Sequence, residues 1–146
     1  MTCCELMIGD WVNFLIDIEG GDTDYDPKVA QYQSMKIVSL SSWYNNDGEV
    51  ESAEGVINDI DQVKPIPLTP EILEKNGFDV SDKEVMQYHF EEDGEKYHFS
   101  LRQMYDKDGK PHGYSFYAFN VLTLLDYVHE LQHALRLCGI NKEIEL

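Results

Sequence analysis

Turn-forming clusters cut most of this chain into short segments that pair most readily with their neighbours. Gly9-Asp10, the Gly- and Asp-rich stretch 19–27, Asn45-Asn46-Asp47-Gly48, Asp93-Gly94 and Asp106-Lys107-Asp108-Gly109 all supply residues that tolerate tight or left-handed backbone. The runs between them have strand character. Met7–Phe14 alternates around the Gly-Asp turn, Met35–Leu40 is a second strand, and a third is predicted within Glu49–Ile57 behind the Asn-Asp-Gly hairpin turn. Ile60–Pro67 is an extended exit, because each proline biases its predecessor away from helix. Short strands behind a Gly-Asp-x-Val opening predict a small SH3-like β-barrel over residues 1–67.

Residues 68–146 carry different signals. Thr69 is placed as an N-cap, Pro70 takes the first helical position and Glu71 sits in the positive first turn. Gly77 suits the left-handed end of that helix, with Phe78 folding back on Leu73. Aromatic-rich strands then follow at Val85–Glu91, Lys96–Tyr105 and around Tyr114–Phe119, a three-stranded antiparallel meander. Its residues Tyr88, Phe90, Tyr97, Phe99, Leu101, Tyr117 and Phe119 need an apolar cover. A helix over about Val121–Cys138, ended by Gly139, is the available one. The predicted class is therefore α+β: a small SH3-like barrel, a helix, a three-stranded antiparallel meander and a covering C-terminal helix.

A chain of 146 residues, 42% hydrophobic, has enough material for one core or two very small ones. Its 28 acidic residues against 11 basic give a net charge of −17. Such a surface repels phosphate backbones and anionic membranes, so no direct binding to nucleic acid or membrane is expected. It favours a basic protein partner or mimicry of nucleic acid, and its plainest explanation is a well-solvated surface. Three cysteines, Cys3, Cys4 and Cys138, form no C-x-x-C pattern and leave at least one thiol unpaired. That is the usage of a reducing compartment. Residues 1–20 contain Glu5, Asp10, Asp17 and Glu19 without a basic start, and the apolar runs are too short to span a bilayer. A cytoplasmic protein is expected.

One motif carries chemistry. In His129-Glu130-Leu131-Gln132-His133 the histidines lie one helical turn apart, so both can ligate one zinc while the glutamate acts as base. Three features oppose a zinc hydrolase. The apolar stripe Val121, Leu124, Val128, Leu131, Leu135 and Cys138 places His133 roughly opposite and His129 about 140° away, on the face expected to see water. Leu122 and Leu125 fall near the His129 side and blur that stripe. The positions where the extended motif needs Gly and His hold Arg136 and Gly139, and nothing in the pattern implies a third ligand from His89, His98 or His112. Zinc peptidases also set this helix beside a substrate-binding sheet edge in a larger domain. The favoured reading assigns no catalytic, metal or cofactor residues, with His129, His133 and Glu130 a coincidence on a surface helix. Asp22-Thr23-Asp24-Tyr25-Asp26 begins like a calcium loop, but Pro27 stands where Gly is needed and Gln33 where the bidentate Glu belongs. It reads as an acidic loop. Cys138 reads as a small buried apolar residue, and Trp11 and Trp43 read as core. There is no Gly-rich phosphate loop and no G-x-S-x-G elbow.

Three stretches together resemble a known family: Leu6-Met7-Ile8-Gly9-Asp10-Trp11-Val12, the segment from Lys64-Pro65-Ile66-Pro67 to Asn76-Gly77-Phe78, and Tyr127–Leu135. The family is one of small uncharacterised proteins common in gut-dwelling anaerobic bacteria and in their phages. The resemblance covers the ends and centre of the chain and implies an association with phages or other mobile elements, but no activity. It also implies Gln or Asn in related chains where Glu130 and His133 stand, which weakens the zinc reading. The expected function is non-enzymatic protein binding, as an adaptor with a protein partner. The alternatives are a zinc-dependent hydrolase through His129, Glu130 and His133, and an acidic nucleic-acid mimic that blocks a basic protein.

Overall fold

The computed structural model describes residues 6–18, 30–42, 48–118 and 121–146. Cys3, Cys4, the acidic stretch 19–27, Trp43, the turn at Asn45-Asn46-Asp47 and Phe119 lie outside the described residues. The chain divides into two compact units, Met1–Ile66 and Pro67–Leu146. Among the described residues no helix is long and apolar enough to cross a membrane.

Unit 1 is one antiparallel sheet. Its strands are β1 (Trp11–Ile18), β2 (Ala30–Ser42), β3 (Gly48–Ser52), β4 (Ile57–Asp59) and β5 (Lys64–Pro65), in the order β4-β3-β2-β1-β5. The Gly9-Asp10 turn is seated on β2: Gly9 N donates to Ile37 O at 2.7 Å, and Ile37 N donates to Asp10 O at 2.9 Å. Alternation then buries Val12 and Phe14 against Met35, Ile37, Val50, Ile60 and Val63. Trp11, expected in the core, is only partly buried, with the Lys36 ammonium 5.4 Å from its ring centroid.

The register of β2 shifts between Ile37 and Ser39; the part before the shift pairs with β1 and the part after it mainly with β3. The expected closed barrel is not formed. β4 and β5, of three and two residues, are the edges of the sheet and do not pair with each other among the described residues. Strands so short offer too few ladder bonds to close a ring. A side chain spans part of the gap instead. Asn58 on β4 accepts from Leu15 N at 2.8 Å and donates to Leu15 O at 3.1 Å, where the β1 register is irregular. The third strand ends at Ser52, whose hydroxyl accepts from Glu54 N and Val56 N and turns the chain into β4.

Unit 2 contains α1 (Pro70–Lys75), β6 (Val85–Glu92), β7 (Glu95–Tyr105), β8 (Pro111–Ala118), β9 (Val121–Leu125) and α2 (Val128–Leu137). In α1 the Thr69 hydroxyl accepts from Ile72 N at 3.4 Å, Gly77 adopts φ 83°, and Phe78 N donates to Leu73 O at 3.0 Å. The Glu71 carboxyl is held below its ordinary value by its own backbone N–H and the Thr69 hydroxyl. Asn76, buried, donates to Glu145 O at 2.7 Å and accepts from Glu145 N at 2.8 Å, which fastens the segment after α2 to the end of α1.

The sheet order is β6-β7-β8-β9, so the meander has four strands where three were expected. Val121–Leu125 pairs with β8 along its whole length, and the helix expected to start at Val121 starts at Val128. The cause is local. Glu130 Oε2 accepts from Asp126 N at 2.6 Å and from Tyr127 N at 3.0 Å, which satisfies the N–H groups at the head of a helix and fixes where it begins. Gly113 on β8 is required there: its φ is 56°, and a Cβ would meet Asp126 Oδ1 at 2.0 Å.

Met86, Phe99, Leu101, Tyr114, Phe116 and Leu125 form the buried face of this sheet. Phe78 packs on Tyr88 and Phe99, with ring centroids 5.4 and 6.2 Å away. Tyr117, assigned to that face from the sequence, instead projects from the opposite one and is exposed, because it lies one residue out of step with Phe116. Burial raises the Tyr114 hydroxyl above its ordinary value, with the Glu71 charge adding to the shift.

The α2 residues Val128, Leu131 and Leu135 are fully buried. Leu131→Ala is therefore expected to cost about 2–5 kcal/mol through lost transfer energy and the cavity left behind. Thermal unfolding followed by circular dichroism should show the midpoint falling by at least several degrees. An unchanged midpoint would mean that α2 presents a different face.

Candidate functional site

The motif residues do not share one environment. His129 is only 4% exposed, Glu130 and His133 are half-buried, and Arg136 is exposed. The expectation that both histidines face water thus fails for His129. A wheel marks one apolar stripe, but the first turns of α2 are buried on more than one side: Val128, His129, Leu131 and Gln132 are all buried. Part of that burial accompanies the start of the unit. Leu68 N donates to Asp126 O at 2.9 Å, and Pro67 bridges to Tyr127.

The His129 ring stacks on Tyr127, with centroids 5.9 Å apart and planes 6° from parallel, and meets His133 edge-on at 5.8 Å. The helix therefore brings the two imidazoles together as the spacing requires. It does not bring the other candidates. His89 and His98 face each other across β6 and β7 at 6.2 Å, and His112 Nε2 lies 4.0 Å from Asp126 Oδ1. Among the described residues no three His, Cys, Asp or Glu side chains are grouped to hold a metal ion. Glu130, expected to point to solvent, turns back to the backbone of residues 126 and 127. A general base needs a lone pair directed at the reacting water. Here Oε2 is given over to two backbone donors, which caps the head of α2.

Glu130 and His133 also line a cavity of about 410 Å³ between β9 and α2, with Thr123, Leu124, Leu125, Ala134 and Leu137. The nearby edge is apolar in character: Leu122 and Leu137 are each 66% exposed. A second cavity, of about 630 Å³, lies among β7, β8 and the segment after α2, with His98, Ser100, Arg102 and Ser115 in its lining. Cys138 also lines it, half-buried, and burial pushes its thiol above the ordinary value. Sequence reasoning weighed His98 only as a metal ligand and Cys138 only as a buried apolar residue, and it missed Ser100, Arg102 and Ser115. The available signal was the alternation His98, Ser100, Arg102 along β7, which puts three polar donors on one sheet face.

Comparison with protein-family models, curated proteins and solved structures returned no match.

Glu130→Ala should destabilise the protein by about 1–2 kcal/mol by leaving two N–H groups at the helix start without their acceptor. Glu130→Gln keeps an amide oxygen and should cost less. Chemical denaturation of the three proteins side by side tests this order. Equal stability of all three would show that the carboxylate does not cap α2.

Proposed function

We propose that the protein is a non-enzymatic binding or adaptor protein whose partner is a basic protein. The observation that carries the non-enzymatic part is the commitment of Glu130 to backbone donors at the head of α2. The partner's chemistry follows from charge. A chain at −17 attracts a basic surface over a long range and repels a second copy of itself. Unit 1 holds a specific instance. Glu49 on β3 stands directly opposite Asp59 on β4, and Glu51 shares their sheet face two residues along. Like charges directly opposite on neighbouring strands cost stability. A partner that supplies cations gives a reason to keep them.

The order β4-β3-β2-β1-β5, with β2 serving both halves of the sheet, supports reading unit 1 as an open SH3-like unit. The association with phages or other mobile elements rests on the sequence resemblance alone. The odd cysteine count supports a cytoplasmic setting. A zinc hydrolase remains the first rival because the His129 and His133 rings lie 5.8 Å apart. A nucleic-acid mimic is the second, since clustered carboxylates imitate a phosphate row.

The test is affinity capture from the native host across a salt series, using the wild type and a Glu49→Gln/Glu51→Gln/Asp59→Asn variant. The wild type should retain a basic protein whose recovery falls steeply with salt, and the variant should lose it. The same variant should be more stable, by roughly 0.2–1 kcal/mol for the relieved Glu49–Asp59 pair. Retention of the same protein by the variant, or at high salt, contradicts the reading. A captured protein that DNA displaces would favour the mimic.

A further inference from the structure

The pairing of β7 with β8 stops partway. It joins Tyr105 to Pro111, Gln103 to Tyr114 and Arg102 to Ser115. Back from there β7 continues against β6 as far as Glu95, while β8 continues against β9 as far as Ala118. Each strand keeps its outer partner after its pairing with the other ends. The cavity of about 630 Å³ lies along this parting, lined from both strands. That volume is within the usual range of small-molecule sites, roughly 300–1,000 Å³.

Its lining is two-sided. Phe99 and Phe116, stacked with centroids 4.3 Å apart, give it an apolar surface together with Cys138 and Ile140. The opposite sheet face contributes His98, Ser100 and Arg102 from β7 and Ser115 from β8, with Arg102 and Ser115 directly paired. No carboxylate is among the residues that line the cavity, although the chain has 28 acidic residues. On the same sheet face Glu91 lies one step beyond His89 on β6, opposite Lys96, and Asp79 bridges to Gln87 at the edge. Among the described residues no carboxylate is within ion-pair distance of Arg102.

We propose that this cleft binds a small carboxylic acid with an apolar body. The Arg102 guanidinium takes the carboxylate, for which its planar fork is matched, with Ser100, Ser115 and His98 as further donors. The apolar body lies on Phe99, Phe116 and Ile140. A monoanion suits the site better than a phosphate dianion, because the field of the surrounding acidic surface opposes each added negative charge.

The experiment is calorimetric titration of the full chain with decanoate, decanol and decylamine. Decanoate should bind saturably at one site per chain, and decanol and decylamine at least about tenfold more weakly, the loss expected when a charge-assisted hydrogen bond is removed. Arg102→Gln, an exposed substitution that should leave the melting temperature unchanged, should weaken decanoate by a similar factor. A second readout uses a thiol reagent on a Cys3→Ser/Cys4→Ser background, where saturating decanoate should slow modification of Cys138. Absence of saturable decanoate binding, equal binding of decylamine, or an unchanged affinity in Arg102→Gln would overturn the proposal. So would an unprotected Cys138. None of these results bears on the basic-partner reading, which is tested through residues of unit 1.

Discussion

Unit 2 is organised around one carboxylate. Glu130 reaches back from the first turn of α2 to the N–H groups of Asp126 and Tyr127, at the point where the β-meander has to become a helix. Three chain segments converge there. β9 ends at Leu125, α2 begins at Val128, and the opening of the unit is attached through Leu68 N to Asp126 O and through the Pro67–Tyr127 bridge. The Asp126 side chain fills the space that a Cβ on Gly113 would need, so β8 is adapted to the same junction. Unmade hydrogen bonds at a half-buried helix start are costly, and this explains a glutamate at that position without appeal to catalysis.

Buried amides make comparable joints elsewhere. Asn58 pairs with both backbone groups of Leu15 where β1 is irregular, and Asn76 pairs with both backbone groups of Glu145. Each satisfies backbone that no ladder reaches, as buried polar groups must be. These joints let short strands and a six-residue helix support cores that their length alone would hold weakly.

How much of this was legible from the residues depended on range. Local chemistry was readable: Thr69, Pro70, Gly77 and Phe78 delimit α1 through contacts within a few residues, and Asp93-Gly94 and Asp106–Gly109 mark the turns of the meander. The errors arose where a distant partner decided the outcome. Val121–Leu125 fits a helical wheel and equally a strand, and pairing with β8 settles it. Leu122 and Leu125, which blurred the wheel, were the sign that the stripe did not extend so far. A wheel with one apolar side puts His129 in water, whereas the start of α2 is buried on several. The parting of β7 and β8, which makes the larger cavity, has no signature in composition or periodicity. Only the alternation of His98, Ser100 and Arg102 pointed toward it.

The proposal most exposed to test is that His129, Glu130 and His133 serve the architecture of α2 and hold no metal. The direct measurement is elemental analysis of the protein purified and then equilibrated with zinc, alongside a His129→Ala/His133→Ala variant. The account predicts no stoichiometric zinc in either protein after removal of free metal. One zinc per chain in the wild type, absent from the double variant, would contradict it and would make the two adjacent imidazoles a metal centre.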